Sequence, residues 1–250
     1  MAGHSKWANT KHRKAAVDAK KNKIFSNLAK DIMIAAKNGG DPAFNPRLRT
    51  AIQKAKAANM PNDRINAAVK KGSGEDGGAD FIELTYEGYA PGGVGMMIEV
   101  TTDNKNRSAS DVRSTFTKGN GQMAEPGAVA YNFSKMGQFL IAADKVESED
   151  QLMELALEAG AQDVKNNGDH FEVLCDVEDY YNVAGALEDA AIEPDSSELA
   201  YLPNATIEVT DADIAKQIMR LEEKLDDLDD VKAVWANYEI AEGVLEPAEA

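Results

Sequence analysis

The sequence predicts an α+β protein, in which an N-terminal three-helix basic bundle is followed by two split-βαβ-like α+β domains, one inserted in the other. The hydrophobic pattern repeats at helical spacing up to about residue 71 and alternates, as in strands, after residue 80. The order of elements within residues 135–205 reads βαββαβ. With 250 residues and 43% hydrophobic side chains, the chain can build several small cores.

Three helices are predicted within residues 16–71. Glycines 39 and 40 follow the first helix, and Asn45-Pro46 supplies an N-cap and a first-turn proline for the second. Pro61 opens the third helix, which Gly72 is expected to end. The apolar stripe of the first helix consists of Ile24, Phe25, Leu28 and Ile32.

A glycine-rich linker is predicted at residues 72–80, GSGEDGGAD, because this stretch contains four glycines and no apolar residue larger than alanine. It marks the end of a basic helical nucleic-acid-binding domain at residues 1–75. The remaining segments are an α+β domain made of residues 80–134 and 206–240, an inserted βαββαβ domain at residues 135–205, and an acidic tail at residues 241–250.

Residues 80–134 are predicted to form a hairpin, a helix and a third strand. The strands FIELTYEGYA and GVGMMIEVTTD are joined by the turn PGG. A helix follows from Arg107 to Lys118 with Val112 and Phe116 facing inward, and AVAYNFS forms the next strand.

The inserted segment and the end of the chain complete the predicted elements. QFLIAAD is a strand, SEDQLMELALEAG a helix, the stretch around Asp163 and HFEVLCDV two strands, YNVAGALEDAAI a helix, and Leu199 to Val209 a strand. A last helix runs from Asp211, its N-cap, to Asp227, and KAVWANYEI is the closing strand.

The charge of the chain is strongly segregated. The whole chain has a net charge of −16, yet residues 1–75 hold 16 Lys and Arg against 5 Asp and Glu, a net +11. The remaining 175 residues hold 11 basic and 38 acidic side chains, a net −27. This asymmetry indicates that the N-terminal segment binds a polyanion, while the acidic remainder keeps the chain soluble and repels nucleic acid.

The candidate nucleic-acid contacts are therefore basic and aromatic residues of the first domain. Lys and Arg neutralise phosphates and release counterions, and an indole ring can stack on a base. The predicted contact residues are His4, Lys6, Trp7, Lys11, His12, Arg13, Lys14, Lys20, Lys21, Lys23, Arg47, Arg49, Lys54 and Lys56.

Other interpretations of these stretches remain open. The front segment could be a solvated basic tail with Trp7 packed on the bundle, and His4 and His12 have no third ligand in register for a metal. TTDNKNRSASDVR, residues 101–113, could bind an anion with help from Arg107 and Arg113, or could simply cap a helix through Asn106 or Ser108.

No catalytic constellation stands out, so we predict a protein that is not an enzyme and that needs no cofactor, metal or small-molecule substrate. The remote alternative is an enzyme that processes nucleic acid, but the basic domain lacks the carboxylate clusters that such an enzyme would need. GYAPGGVG lacks a following Gly-Lys-Ser/Thr and lies between two strands, which favours a hairpin over a phosphate loop. A single cysteine, Cys175, the absence of a long apolar span and the absence of an apolar signal segment predict a cytoplasmic protein with no membrane partner.

Four stretches closely resemble the YebC family, which includes the mitochondrial translational activator of cytochrome oxidase subunit one. They are GHSKWANTKHRKAAVDAKKNKIFSNLAKDI, GGDPAFNPRLRTAIQKAKAANMP, YEGYAPGGVGMMIEVTTDNKNRSASDVR and GAVAYNFSKMG. They occur in the expected order over nearly the whole chain. One stretch departs from the family pattern: residues 119–127 read GNGQMAEPG where relatives more often read like GGNLGTSG.

The resemblance implies three domains and a non-enzymatic role in gene expression. Bacterial members are described as probable DNA-binding transcriptional regulators, and other members resemble translation factors that act at the ribosome on proline-rich stretches. DNA and ribosomal or transfer RNA both remain candidate partners. The sequence shows no helix-turn-helix signature and no paired aromatic residues of the RNA-recognition type, and its dispersed cations suit backbone contacts.

Overall fold

The computed structural model describes residues 17–75 and 80–245, with side chains from residue 22 onward. The chain divides into two units, one made of residues 133–202 and the other of residues 17–132 and 203–245. Helices come first and β-rich segments follow, so the predicted α+β class is confirmed. No helix in the described ranges is long and apolar enough to cross a membrane.

Three helices form the N-terminal segment, as predicted: α1 (Val17–Ala36), α2 (Pro46–Ala57) and α3 (Asn62–Ser73). Their inward faces share one apolar core because the buried positions recur at helical spacing. This core contains Phe25, Ile32, Met33, Ala35, Ala36, Leu48, Ala51, Ala55, Met60, Ile65 and Ala68. Asn45 caps α2 as predicted, since its Oδ1 accepts a hydrogen bond from the backbone N–H of Leu48 at 3.0 Å.

Gly72 does not end α3, which corrects the sequence prediction. It is buried inside the helix, where an added Cβ would lie 2.3 Å from the backbone oxygen of Met33 on α1. Its missing side chain therefore permits close packing of α1 and α3. The helix ends at Ser73, and Gly74 closes it with a φ of +89°. Residues 76–79 of the predicted linker lie outside the described residues.

A four-stranded sheet lies in the same unit, with the strand order β3 (Gln122–Ala124), β1 (Ile82–Tyr89), β2 (Gly95–Thr102) and β9 (Val231–Ala236). All three strand pairs are antiparallel, and the turn Pro91–Gly93 joins β1 to β2 as the predicted hairpin. Buried residues of the sheet and of two helices form one core. The two helices are α4 (Lys105–Lys118) and α7 (Ala212–Asp226).

Short elements and helix starts account for most differences from the prediction. The strand β3 lies in the 119–127 stretch and was missed because three residues carry no readable alternation. Helix α4 begins at Lys105, and its N-cap is Asn104 rather than Asn106 or Ser108. The predicted cap Asp211 is confirmed, because its Oδ1 accepts from the N–H groups of Asp213 and Ile214.

The predicted strand KAVWANYEI is two strands, divided at Asn237. The buried side chain of Asn237 accepts a hydrogen bond from the N–H of Gly95 at 2.7 Å, and its backbone oxygen accepts from Ile207 at 2.7 Å. After this break, β10 (Tyr238–Ile240) pairs in parallel with β8 (Ile207–Val209). The predicted strand from Leu199 to Val209 is likewise divided, because β8 is separate from the strand before it.

The second unit contains the predicted βαββαβ order. Its sheet has the strand order β5 (Ala161–Asn166), β6 (His170–Cys175), β4 (Phe133–Ala142) and β7 (Ser196–Pro203). Two helices cover one apolar core that includes Phe139, Val173 and Leu187. The stretch AVAYNFS is not a strand throughout, since Ala130–Asn132 is a single 3-10 turn. The helices of this unit are α5 (Glu149–Glu158) and α6 (Tyr180–Asp189). The division into three domains stays a prediction.

Candidate nucleic-acid interface

Ten contacts are predicted in the first 23 residues, and the side chains of nine of them lie outside the described residues. His4, Lys6, Trp7, Lys11, His12, Arg13 and Lys14 lie outside the described residues. Lys20 and Lys21 belong to the first two turns of α1, and their side chains also lie outside. The role of these residues stays a prediction.

Three predicted contacts, Lys23, Arg47 and Lys54, have partners within the fold. The ammonium nitrogen of Lys23 is buried, so it is not presented to a phosphate at the surface. Arg47 donates two hydrogen bonds from Nη2 to the two carboxylate oxygens of Glu83, each at 2.8 Å. Because Arg47 lies on α2 and Glu83 on β1, this ion pair joins the helical segment to the central sheet.

Exposed cations remain on the outer surface of α2 and α3. Arg49 and Lys56 are exposed and seven residues apart, so they lie about 10 Å apart along one face of α2. Lys70 and Lys71 are exposed in the last turn of α3. None of these four side chains forms an ion pair with another described residue. We call Arg49, Lys56, Lys70 and Lys71 the exposed basic set.

The exposed basic set overlaps only partly with the prediction. Arg49 and Lys56 were predicted, whereas Lys54 is half-buried and engaged by the fold. Lys70 and Lys71 were missed, although two consecutive lysines ahead of a predicted helix end were a readable signal. Cations in a last helical turn also stabilise the helix by interacting with its dipole, and this effect needs no ligand.

A second group of charged residues meets at Asp230, in the turn after α7. Its carboxylate accepts hydrogen bonds from Lys30 Nζ at 3.0 Å, Arg107 Nη2 at 2.7 Å and Ser108 Oγ at 2.8 Å. Thr102 Oγ1 donates to the same carboxylate at 3.0 Å. Burial alone would raise the pKa of Asp230, but the hydrogen bonds from Arg107, Ser108 and Lys30 outweigh it and lower the pKa to about 2.

The Asp230 cluster bears on the two interpretations of residues 101–113, because it engages Arg107. Arg107 pairs with Asp230 and also with Asp103 at 2.9 Å, so its charge is neutralised within the fold. Asn104 provides the cap, with Oδ1 accepting from the N–H of Arg107 at 3.1 Å. This arrangement favours helix capping over an anion site in this stretch.

Further contacts attach α1 to the central sheet. Lys30 donates to the backbone oxygens of Thr101 at 3.0 Å and Asp229 at 2.9 Å. Asp31 accepts from Lys232 Nζ at 2.9 Å, and Lys37 donates to the backbone oxygen of Phe81 at 2.9 Å. Several cations of the helical segment therefore serve internal attachment, which leaves a smaller surface for phosphate than the charge count alone suggests.

Glu87 on β1 organises the stretch that departs from the family pattern and the turn after it. Its buried carboxylate accepts hydrogen bonds from the N–H groups of Gly127 at 2.7 Å, Val129 at 2.6 Å and Ala130 at 2.9 Å. Burial raises the pKa of Glu87, but these three hydrogen bonds more than offset it and the net pKa is lowered. With β3 paired to β1, residues 122–130 are held against the sheet.

The described residues do not assemble a metal or nucleophile site. Residues 17–75 and 80–245 contain no group of three or more His, Cys, Asp or Glu that could hold a metal ion. Cys175 is buried, and burial together with Asp179 and Asp176 raises the pKa of its thiol to about 11. A thiol with that pKa is a poor nucleophile at neutral pH.

The fold defines the class: an α+β protein that begins with a basic three-helix segment. Comparison with known proteins identifies the family. The sequence-family model of the TACO1/YebC protein N-terminal domain matches residues 5–75. The family model of the TACO1/YebC second and third domain matches residues 81–238. The chain belongs to the TACO1/YebC family.

Relatives match along nearly their whole length. A protein of Maridesulfovibrio salexigens named "Probable transcriptional regulatory protein" is 52% identical over 245 residues, which are 98% of each chain. A protein of Opitutus terrae with the same name is 51% identical over 98% of this chain and 99% of its own. The crystal structure of a conserved hypothetical protein from Aquifex aeolicus, 42% identical, superposes with a TM-score of 0.82 over 92% of this chain and 95% of that one.

Proposed function

We propose that this protein is a non-enzymatic regulator of gene expression that binds nucleic acid through its helical segment. The observation that carries the proposal is the exposed basic set, four cations on α2 and α3 with no ion pair among the described residues, in a chain whose net charge is −16. Phosphates attract such cations, and the acidic remainder of the chain repels nucleic acid. Contact is therefore restricted to this segment and to the basic residues that precede it.

The first candidate is a DNA-binding transcriptional regulator. The relatives from Maridesulfovibrio salexigens and Opitutus terrae are named probable transcriptional regulatory proteins. Membership of the same family supports a regulatory role for this chain. Two twelve-residue helices, α2 and α3, are joined by residues 58–61, a connection as short as that of a helix-turn-helix unit. In that arrangement α3 would approach the duplex.

The second candidate is a ribosome-associated translation factor that binds ribosomal or transfer RNA and aids synthesis of proline-rich stretches. The position of the exposed basic set favours it. Lys56, Lys70 and Lys71 lie at helix ends, a placement that suits contact with a phosphate backbone more than reading of base edges. In both candidates the chain needs no cofactor, and we propose that it acts in the cytoplasm, which the free thiol of Cys175 suits.

Crosslinking in growing cells, followed by sequencing of the attached nucleic acid, separates the two candidates. Discrete promoter DNA supports the transcriptional regulator, and ribosomal or transfer RNA supports the translation factor. In either case, the amount of crosslinked nucleic acid should fall when the exposed basic set is replaced by alanine. Recovery of neither DNA nor RNA above background contradicts the proposed function.

A charge-matched control variant is available in the same unit. Lys105, Lys118, Lys216 and Arg220 are exposed and, like the exposed basic set, comprise three lysines and one arginine. Replacing these four by alanine changes the net charge by the same amount. We expect affinity for nucleic acid to fall, and the salt slope to become shallower, only for the variant of the exposed basic set. Equal losses in both variants would show that only net charge matters.

A further inference from the structure

Phe44 is a large aromatic residue that the fold leaves in solvent. Its exposed fraction is 89%, in the loop between α1 and α2. Such exposure of a whole phenyl ring forgoes the free energy that burial would provide. Phe44 lies five residues before Arg49, the first member of the exposed basic set.

The loop that carries Phe44 is held in place by hydrogen bonds. Asn45 is buried, and its Nδ2 donates to the backbone oxygens of Ala35 and Gly39, each at 2.8 Å. Asp41 Oδ1 accepts from the N–H of Ala43 at 2.9 Å, and the Asp41 carbonyl oxygen accepts from the N–H of Phe44 at 3.2 Å. The backbone of Phe44 is thus fixed on both sides, so the ring is presented from an ordered loop.

The start of α2 does not offer Phe44 an apolar partner. Phe44 immediately precedes the N-cap Asn45, and an apolar residue at that position commonly packs against the fourth residue of the helix. Here the fourth residue is Arg49, and Phe44 remains exposed. The position therefore combines an unpacked aromatic face with a cation on the same helical end.

We infer that Phe44 is a stacking platform for an unpaired base of a single-stranded nucleic acid whose backbone phosphates are bound by Arg49 and the rest of the exposed basic set. This inference rests on the proposed function and deepens it by naming the form of nucleic acid. An aromatic face stacks on a base only when the base is unstacked, and a cation beside the ring neutralises the neighbouring phosphate. A base paired within a regular duplex does not offer its face to Phe44.

The test measures binding of the full chain to a fluorescent twelve-nucleotide oligothymidylate, to its ribose counterpart oligouridylate, and to a strand of equal length with abasic residues at every position. Replacing Phe44 by alanine should weaken binding to both base-bearing strands by about 5- to 150-fold, the factor that corresponds to stacking of one base. Binding to the abasic strand and the salt slope should not change, because no phosphate contact is removed. A ratio between the two base-bearing strands shows whether DNA or RNA is preferred.

Two further variants make the result specific. Phe44→Trp should retain binding, and Phe44→Leu should bind as weakly as Phe44→Ala, because leucine is apolar but cannot stack. Tyr131, which is 79% exposed elsewhere in the same unit, provides a matched aromatic control, and Tyr131→Ala should bind like the unaltered protein. All variants should keep the melting temperature of the unaltered chain, since both rings lie in solvent.

The outcomes separate this inference from the proposed function. If Phe44→Ala leaves binding to base-bearing strands unchanged, or weakens abasic binding equally, the stacking inference is wrong while the phosphate contacts stand. If Phe44→Leu binds the base-bearing strands as tightly as the unaltered chain, the ring makes only a general apolar contact, and stacking is overturned. If the unaltered chain binds neither single strands nor duplexes, the proposed function fails as well.

Discussion

Lys30 and Asp230 are separated by 200 positions in the chain, yet their charged groups lie 3.0 Å apart. Both side chains are nearly enclosed, with exposed fractions of 12% and 11%. Lys30 belongs to α1 and Asp230 to the turn before β9, so this pair attaches the helical segment to the central sheet. The same carboxylate also binds Arg107 and Ser108 at the start of α4.

Asp230→Ala should destabilise the chain by about 3 kcal/mol, because it leaves the enclosed ammonium of Lys30 without its carboxylate. Chemical denaturation of both proteins at pH 7 measures the loss. Asp229→Ala is the matched control, since the adjacent Asp229 is exposed and only its backbone oxygen contacts Lys30. Equal stability of Asp230→Ala and Asp229→Ala would contradict the role given to the carboxylate.

The contribution of Asp230 should depend on pH in a defined direction. Its pKa is lowered to about 2 in the folded chain, below that of an aspartate in the unfolded chain, about 3.9. The stabilisation is therefore complete above about pH 4 and is lost as the pH falls towards 2. We expect the difference in unfolding free energy between the unaltered protein and Asp230→Asn to be constant from pH 5 to 7 and to shrink below pH 4. If the difference in unfolding free energy instead grows as the pH falls, the pKa of Asp230 is not lowered in the folded chain.

Glu87→Ala should release the turn at residues 127–130. The substitution leaves three backbone N–H groups without their acceptor, at a cost of about 1–3 kcal/mol for each group that stays buried. Amide hydrogen exchange of Gly127, Val129 and Ala130 should accelerate, while exchange in the strand pair of β1 and β2 changes less. Glu125→Ala, at an exposed position of the same loop, should leave all three amides protected.

Two glycine-to-alanine substitutions within helices should have opposite effects. Gly72→Ala places a methyl group 2.3 Å from the backbone oxygen of Met33, and it should destabilise the chain by about 2 kcal/mol or more. Gly185, in the interior of α6, has nothing within 4 Å of an added Cβ. Gly185→Ala should therefore stabilise its unit by about 0.5–1 kcal/mol through helix propensity. Thermal unfolding should show a lower melting temperature for Gly72→Ala and a higher one for Gly185→Ala.

Arg47 and Arg49 should differ in nucleic-acid binding although they lie two residues apart on α2. Arg49 is exposed and forms no ion pair within the described part of the chain, so Arg49→Ala should weaken binding and reduce the magnitude of the salt slope by about 1. Arg47 is held by both oxygens of Glu83, and Arg47→Ala should change the slope less. The measurement is the dissociation constant of an oligonucleotide at several salt concentrations. Identical slopes for the two variants would contradict the assignment of Arg49 to a phosphate.

Local patterns predicted most of the secondary structure. Helical spacing of apolar residues located α1 to α3, the caps Asn45 and Asp211 marked two helix starts, and the turn Pro91–Gly93 identified a hairpin. These signals are readable because capping and turn formation depend on neighbours within four residues. The errors occurred where a contact between residues distant in sequence determines the local structure. Gly72, for example, packs against α1 rather than ending a helix.

The sequence by itself determined the α+β class, the order of the elements and the concentration of positive charge in the first 75 residues. Only the tertiary structure decided which cations are free. Arg47 and Arg49 are indistinguishable in a local pattern, and the difference between them is Glu83, which chain folding brings within 2.8 Å of Arg47. Electrostatic pairing depends on distance in space, and distance in space between remote residues is set by the packing of whole elements rather than by either residue's neighbours.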